Sequence, residues 1–173
     1  SEDIAAKVNA EILSGNIQVD VLISSDRFWY EDMAAQGRLH AFSPMGTDKI
    51  DASLKHPASF YTAVSIPVMV LVYNNAFVKA EEAPKSFKEM AEPKWKGKFT
   101  TGSPLSSGTN FTTVAHLMKK YGWEYLEALK KNDVISEGGN SSALRRLQSG
   151  ERPVAAILLE NILRFQGEDP RLQ

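Results

Sequence analysis

Between residues 85 and 165 the chain alternates repeatedly between short apolar stretches and segments whose apolar residues recur every three or four positions. That alternation constrains the fold more than any other feature. Short buried strands separated by helical segments of about ten residues pair in parallel, because a crossover of that length returns each strand to the sheet in the same direction. APKSFKEMAEPKWKGKF holds a one- or two-turn helix capped by Ser86 and ended by Pro93, and a strand follows near 98–101. A helix ending at Gly122 is expected to bury Phe111, Val114, Ala115, Met118 and Tyr121. WEYLEALKKN reads as another helix, DVI as a short strand, and SSALRRLQSGE as a helix opened by Asn140 or Ser141 and stopped by Gly150. PVAAILLENIL supplies a strand that runs into a final helix. The class is α/β.

The first sixty residues offer less. A helix with Ile4, Val8 and Ile12 at intervals of four has Ser1 as a candidate cap and stops at Gly15. VDVLISS (19–25) reads as a short buried strand, and DRFWYEDMAAQG as a helix with Asp26 at its start and Gly37 past its end. A polar linker from Ser43 to about Ser59 precedes a β-rich run, 61–74, in which Pro67 signals a bend or an edge. One strand with two helices cannot close a sheet or bury a core of its own. The expectation is therefore a piece of a larger two-lobed protein, with strands absent at both ends.

Several classes of function fall away. A formal net charge of −1 supplies no concentrated basic surface for nucleic acid. No apolar run reaches the roughly eighteen residues of a membrane span. Cysteine is absent, so thiolate chemistry and disulfides are excluded, and His40, His56 and His116 lack metal-ligand spacing. There is no GxSxG, Walker or GxGxxG signature. No catalytic residue, metal site or cofactor is expected.

What remains is a recurring arrangement of hydroxyls. SPLSSGTN gathers Ser106, Ser107, Gly108 and Thr109 just ahead of an amphipathic helix, where a single residue would serve as the cap. ISSD places Ser24, Ser25 and Asp26 at a helix start, and GGNSS does the same with Asn140 and Ser141. The first N–H groups of a helix have no internal partner and sit at the positive end of its dipole. Such starts hold carboxylate, phosphate or phosphonate oxygens without a basic side chain, and in open α/β sheets they gather beyond the carboxyl ends of the strands. Trp29 is a candidate for stacking on a ligand. Glu160, just after the 154–159 strand, is a candidate partner for a ligand amine.

With these residues in view, the chain resembles the extracellular solute-binding proteins of bacterial ABC importers, in the branch that groups ferric-iron, 2-aminoethylphosphonate, thiamine and polyamine binders. The most specific feature is EAPKSFKEMAEPKWKGKF, with VLVYNNAFV, SPLSSGTN, MKKYGWEYLEALKKN and SALRRLQSGERPVAA following in the family's order. The resemblance implies a type II periplasmic-binding-protein fold, three-layer αβα with a mixed sheet, in which two lobes close on a ligand. Residues 1–60 would be part of the first lobe, 61–74 a crossover strand, and 75–173 the second lobe. It implies a binding protein without catalytic activity, exported by a signal peptide or lipid anchor to the periplasm or cell exterior. The full-length protein would be a monomer delivering a small anionic or zwitterionic solute to a membrane permease. Ser24, Ser25, Ser106, Ser107, Gly108, Thr109, Asn140 and Ser141 match the family's ligand-contacting loops. Where ferric-binding members carry an adjacent Tyr pair, this sequence reads LLENIL with Glu160 and Asn161, so that iron site is not matched. Three rivals are a ferric-ion binder with a synergistic anion, the effector-sensing domain of a transcriptional regulator, and a hydrolase using the Ser cluster.

Overall fold

The computed structural model describes residues 2–173, so Ser1, the candidate cap, lies outside the described residues. The chain divides into two compact units, Asp3–Ile66 and Pro67–Gln173.

In the first unit, α1 (Glu2–Ser14) buries Val8, while Ile4 and Ile12 of the same stripe are only partly covered. The α2 helix (Arg27–Ala35) buries Met33 and is capped by Asp26, whose Oδ1 accepts from Trp29 N at 3.1 Å. Between them, 19–25 forms no strand and bends at Asp20 and Ser25. Val21 and Ile23 stay 79% and 69% exposed, which overturns the expectation of a buried strand. Periodicity supplies the side chains of a strand but not the ladder partner, and no neighbouring strand among the described residues provides one. Residues 43–59 carry two single-turn 3₁₀ segments, Thr47–Lys49 and Ala52–Leu54. Tyr30 and Tyr61 stack with ring centroids 5.5 Å apart, and the Tyr61 hydroxyl donates to Glu31, holding that carboxyl below its usual range.

The second unit is built on a four-stranded sheet. Its strands are β1 (Met69–Tyr73), β2 (Phe99–Thr101), β3 (Ile135–Ser136) and β4 (Val154–Leu158), in the order β1-β4-β2-β3. The pairs β2–β4 and β2–β3 are parallel and β1–β4 is antiparallel, with Met69 opposite Leu158 and Tyr73 opposite Val154. The β-rich run therefore narrows to five residues on the edge, beginning two residues after Pro67. The helices are α3 (Gly108–Tyr121), α4 (Trp123–Lys131), α5 (Asn140–Ser149) and α6 (Leu159–Phe165).

Two apolar clusters flank the sheet. One joins Val78, Met90, Trp95, Phe99, Leu117, Tyr125, Leu129, Val154 and Ala156; the other joins Val72, Ala143, Leu144, Leu147, Ala155, Ile157, Ile162 and Leu172. Alternate residues of β4 feed opposite clusters, as the two-residue period of a strand covered on both faces requires. The α3 helix differs from expectation: it buries Gly108, Asn110 and Leu117, whereas Phe111 and Met118 are 49% and 40% exposed. Its inward face is rotated because a polar residue, Asn110, takes an interior position that hydropathy alone assigns to solvent. The segment after Ser86 is a 3₁₀ helix, Phe87–Ala91, and Ser86 does not cap it; its hydroxyl donates to Glu89 Oε1 at 3.2 Å.

Candidate functional site

Parallel pairing fixes which residues meet at the carboxyl edge of this sheet. Thr101, the last residue of β2, lies beside Ser136 of β3 and Ala156 of β4, so the loops leaving these strands emerge on one rim. The loop after β2 leads to α3, that after β3 to α5, and β4 runs straight into α6. The first two loops are bonded to each other: Ser103 N donates to Gly138 O at 2.8 Å, and the Ser136 hydroxyl to Gly102 O at 3.3 Å.

The starts of α3 and α5 touch through side chains. Asn110 is 1% exposed; its Nδ2 donates to Asn140 Oδ1 at 2.9 Å and its Oδ1 accepts from the Thr101 hydroxyl at 3.3 Å. Ser107 is the N-cap of α3 and accepts from Asn110 N at 3.4 Å, a long bond, while its hydroxyl lies 2.9 Å from that of Thr109. The cap of α5 is Gly139, which has no side chain to offer. Because Asn140 Oδ1 accepts from Asn110, the group Asn140 has left to present is its Nδ2 donor. Neither α3 nor α5 carries an acidic residue in its first turn, unlike α4 with Glu124 and α6 with Glu160. The first turns of these two helices thus hold no carboxylate to offset the positive ends of their dipoles.

Of the residues singled out in the sequence, Ser106, Ser107, Gly108, Thr109, Asn140 and Ser141 thus fall on two adjoining helix starts at one rim. Gly108 is buried, whereas Ser106 and Ser141 are exposed. Glu160 is exposed at the head of the seven-residue α6, beyond the carboxyl end of β4. Ser24, Ser25, Asp26 and Trp29 belong to the other unit and cluster at the start of α2. There the Ser24 hydroxyl accepts from Asp26 N at 3.1 Å, and the Trp29 indole N–H donates to Asn9 Oδ1 at 3.4 Å. Sequence reasoning missed Asn110 and Gly102. A buried amide inside an otherwise ordinary helix leaves no periodic signal, although the Gly-x-x-x-x-x-x-x-Asn spacing across a strand end could have prompted the question.

Among the described residues, no group of three His, Cys, Asp or Glu side chains is placed to hold a metal ion. Tyr125 is the most strongly shifted group; burial pushes its phenol well above the usual value, and its hydroxyl donates to Phe87 O at 2.5 Å. It lies in the core under α4 and serves packing.

A mixed sheet with an antiparallel edge strand, covered by helices and presenting helix starts on one rim, is the architecture of the type II periplasmic binding proteins. Residues 16–164 match the family described as bacterial extracellular solute-binding protein, and the chain belongs to that family. Iron uptake protein A1 of Synechocystis is 25% identical over 162 residues, covering 87% of this chain and 42% of the relative. The crystal structure of iron-bound HitA from Pseudomonas aeruginosa superposes with a TM-score of 0.81 at 22% identity, covering 99% of this chain and 56% of that one. The periplasmic binding protein AfuA from Actinobacillus pleuropneumoniae, with fructose-6-phosphate bound, gives 0.76 at 24% identity, covering 97% and 56%. The chain spans about half the length of these proteins or less.

Proposed function

We propose that this chain is part of the solute receptor of a bacterial ABC importer, working in the periplasm or at the cell exterior. It captures a small anionic or zwitterionic solute, of the phosphate, phosphonate or carboxylate type, and passes it to a membrane permease without chemical change. One observation carries the ligand class. Two hydroxyl-bearing helix starts adjoin at the carboxyl rim of the sheet, neither has an acidic residue in its first turn, and Asn140 is oriented to offer a donor. Helix starts with hydroxyl donors and no carboxylate in the first turn suit an anion. In this reading Ser106, Ser107, Gly108, Thr109, Asn140 and Ser141 receive the anion from residues 75–173. Glu160 receives a ligand amine, and Ser24, Ser25, Asp26 and Trp29 are the candidate ligand contacts of residues 1–60 taken by themselves. The AfuA structure holds a sugar phosphate, a ligand of the same charge class.

The test is calorimetric titration of the full-length protein with inorganic phosphate and 2-aminoethylphosphonate. Thr109→Val is the cleaner variant, because Ser107→Ala also removes a helix cap at a cost of about 1 kcal/mol in stability. Losing the Thr109 hydroxyl is expected to weaken binding by roughly 1–2 kcal/mol, or about 5- to 30-fold in Kd. An unchanged Kd counts against the role of this loop.

A second reading, ferric ion held with a synergistic anion at the same rim, is favoured by the relatives named for iron. It must find its ligands without a Tyr pair after β4, where Leu159, Glu160 and Asn161 stand instead. A visible charge-transfer band on adding ferric ion would establish it.

A further inference from the structure

The amide of Asn110 occupies a position that neither core packing nor helix formation accounts for. It is 1% exposed on a face otherwise filled by Leu117, and Asn is a weak helix former. Leucine there would have the same branched heavy-atom shape and bury more apolar surface. What Asn110 does instead is join three elements: the Thr101 hydroxyl at the end of β2, its own helix α3, and Asn140 at the first position of α5. The backbone bonds between the two loops hold the loops; the Asn110–Asn140 bond links the helix starts themselves.

Gly102 supplies the matching clearance. A Cβ added at Gly102 would lie 2.4 Å from Asn110 Nδ2, a clash, and 3.1 Å from Asn140 Oδ1, a tight contact, so a side chain there displaces the donor of the bond and crowds its acceptor. Gly102 is not among the glycines with positive φ. Its backbone is therefore open to alanine, and the nearest obstacles to a Cβ are the two amides. Glycine is needed here for space, not for conformation.

We propose that Asn110 is the positioning residue of the anion rim, and that Gly102 is kept free of a side chain so that the Asn110–Asn140 tie can form. The inference rests on the anion-receptor reading above. The tie sets the separation of the two helix starts and fixes which end of the Asn140 amide faces outward. With Oδ1 engaged, Nδ2 is presented. Without the tie the amide turns freely, and half of its orientations aim a carbonyl oxygen at an anion.

Two variants of the full-length protein, Asn110→Leu and Gly102→Ala, test this with two readouts. Inorganic phosphate titrated by calorimetry should bind each variant at least tenfold more weakly than the wild type. Hydrogen exchange without ligand should accelerate at 139–143, about thirty residues from Asn110, with α4 (Trp123–Lys131) as the control for general loosening. A merely structural role would raise exchange in α4 as well and leave phosphate affinity in the folded fraction intact; that result overturns the proposal. So does exchange at 139–143 that matches wild type in both variants. If Asn110→Leu does not fold, Gly102→Ala carries the test, since its backbone is unstrained and the nearest obstacles to the methyl are the two amides of the tie. Wild-type protein that binds no phosphate strikes the anion reading itself, and is recognised without any variant. The exchange result still decides whether the tie exists.

Discussion

Single buried polar residues settle much of this structure, and they were the hardest to read from the sequence. Asn132, 6% exposed, donates through Nδ2 to Met90 O at 2.9 Å and Glu92 O at 2.8 Å, while its own carbonyl accepts from Gly97 N at 2.9 Å. One amide thus satisfies the carbonyls at the end of the Phe87–Ala91 turn and seats the Pro93–Trp95 turn, whose Trp95 is 3% exposed. Asn132→Leu strands the Met90 carbonyl in the interior, while the Glu92 carbonyl keeps its bond from Trp95 N, and should cost about 1–2 kcal/mol, read as a fall in the urea midpoint without a change in slope. Asn74 does similar service, donating to Leu147 O at 3.0 Å and accepting from Ala76 N at 3.1 Å. Nothing in a hydropathy pattern marks Asn74, Asn110 or Asn132, because the groups to which their side-chain amides donate lie between 30 and 74 residues away in sequence. The hydroxyls of Ser107 and Asp26's carboxylate were legible because a helix cap is a local event, with partners two or three residues distant.

At the scale of elements, α2, α4, α5, β2 and β4 fall where caps, Gly stops and apolar runs put them. The 19–25 segment does not, since a strand exists only with its neighbour. The C-terminal residues were also illegible: after α6 the chain returns, with Tyr73 N donating to Gln173 O at 2.9 Å and Gln173 N to Tyr73 O at 3.0 Å, beside the fully buried Leu172. This return is held by Asp169, whose carboxylate accepts from Arg171 Nε at 2.7 Å and Nη2 at 2.8 Å. The guanidinium hydrogen bonds keep the Asp169 carboxyl below its usual range. A depressed folded-state value means that the contribution is complete above the ordinary carboxylate range and is lost as pH falls through the folded value. Asp169→Asn is thus expected to loosen the return at neutral pH, while at low pH wild type and variant converge. Urea midpoints measured across pH 2–7 check both limbs.

For the whole molecule, the distribution of buried residues matters most. The Pro67–Gln173 unit has two apolar clusters on either side of its sheet, whereas Val8 and Met33 are the buried apolar residues of Asp3–Ile66 among those described. Stability follows burial. Amides of α1 and α2 should therefore exchange well before those of β4 in native-state hydrogen exchange, and thermal unfolding of the 173-residue chain should not fit one transition. Equal protection in both units would contradict this. The α/β class was legible across 85–165 because short apolar runs alternate there with segments of helical period. The antiparallel pairing of β1 was not, since direction is set by where the chain arrives and not by the residues within the strand. That direction has a mechanical meaning. The polypeptide arriving from residue 66 is anchored at once by Leu159 N on Val68 O at 2.8 Å, with Met69 against Leu158. It is stitched in at the rim where α3, α5 and α6 begin, not at the opposite border. Only β4 stands between this arriving polypeptide and β2, whose outgoing loop opens α3, so a load carried at the start of α3 would reach the doorway across a single strand.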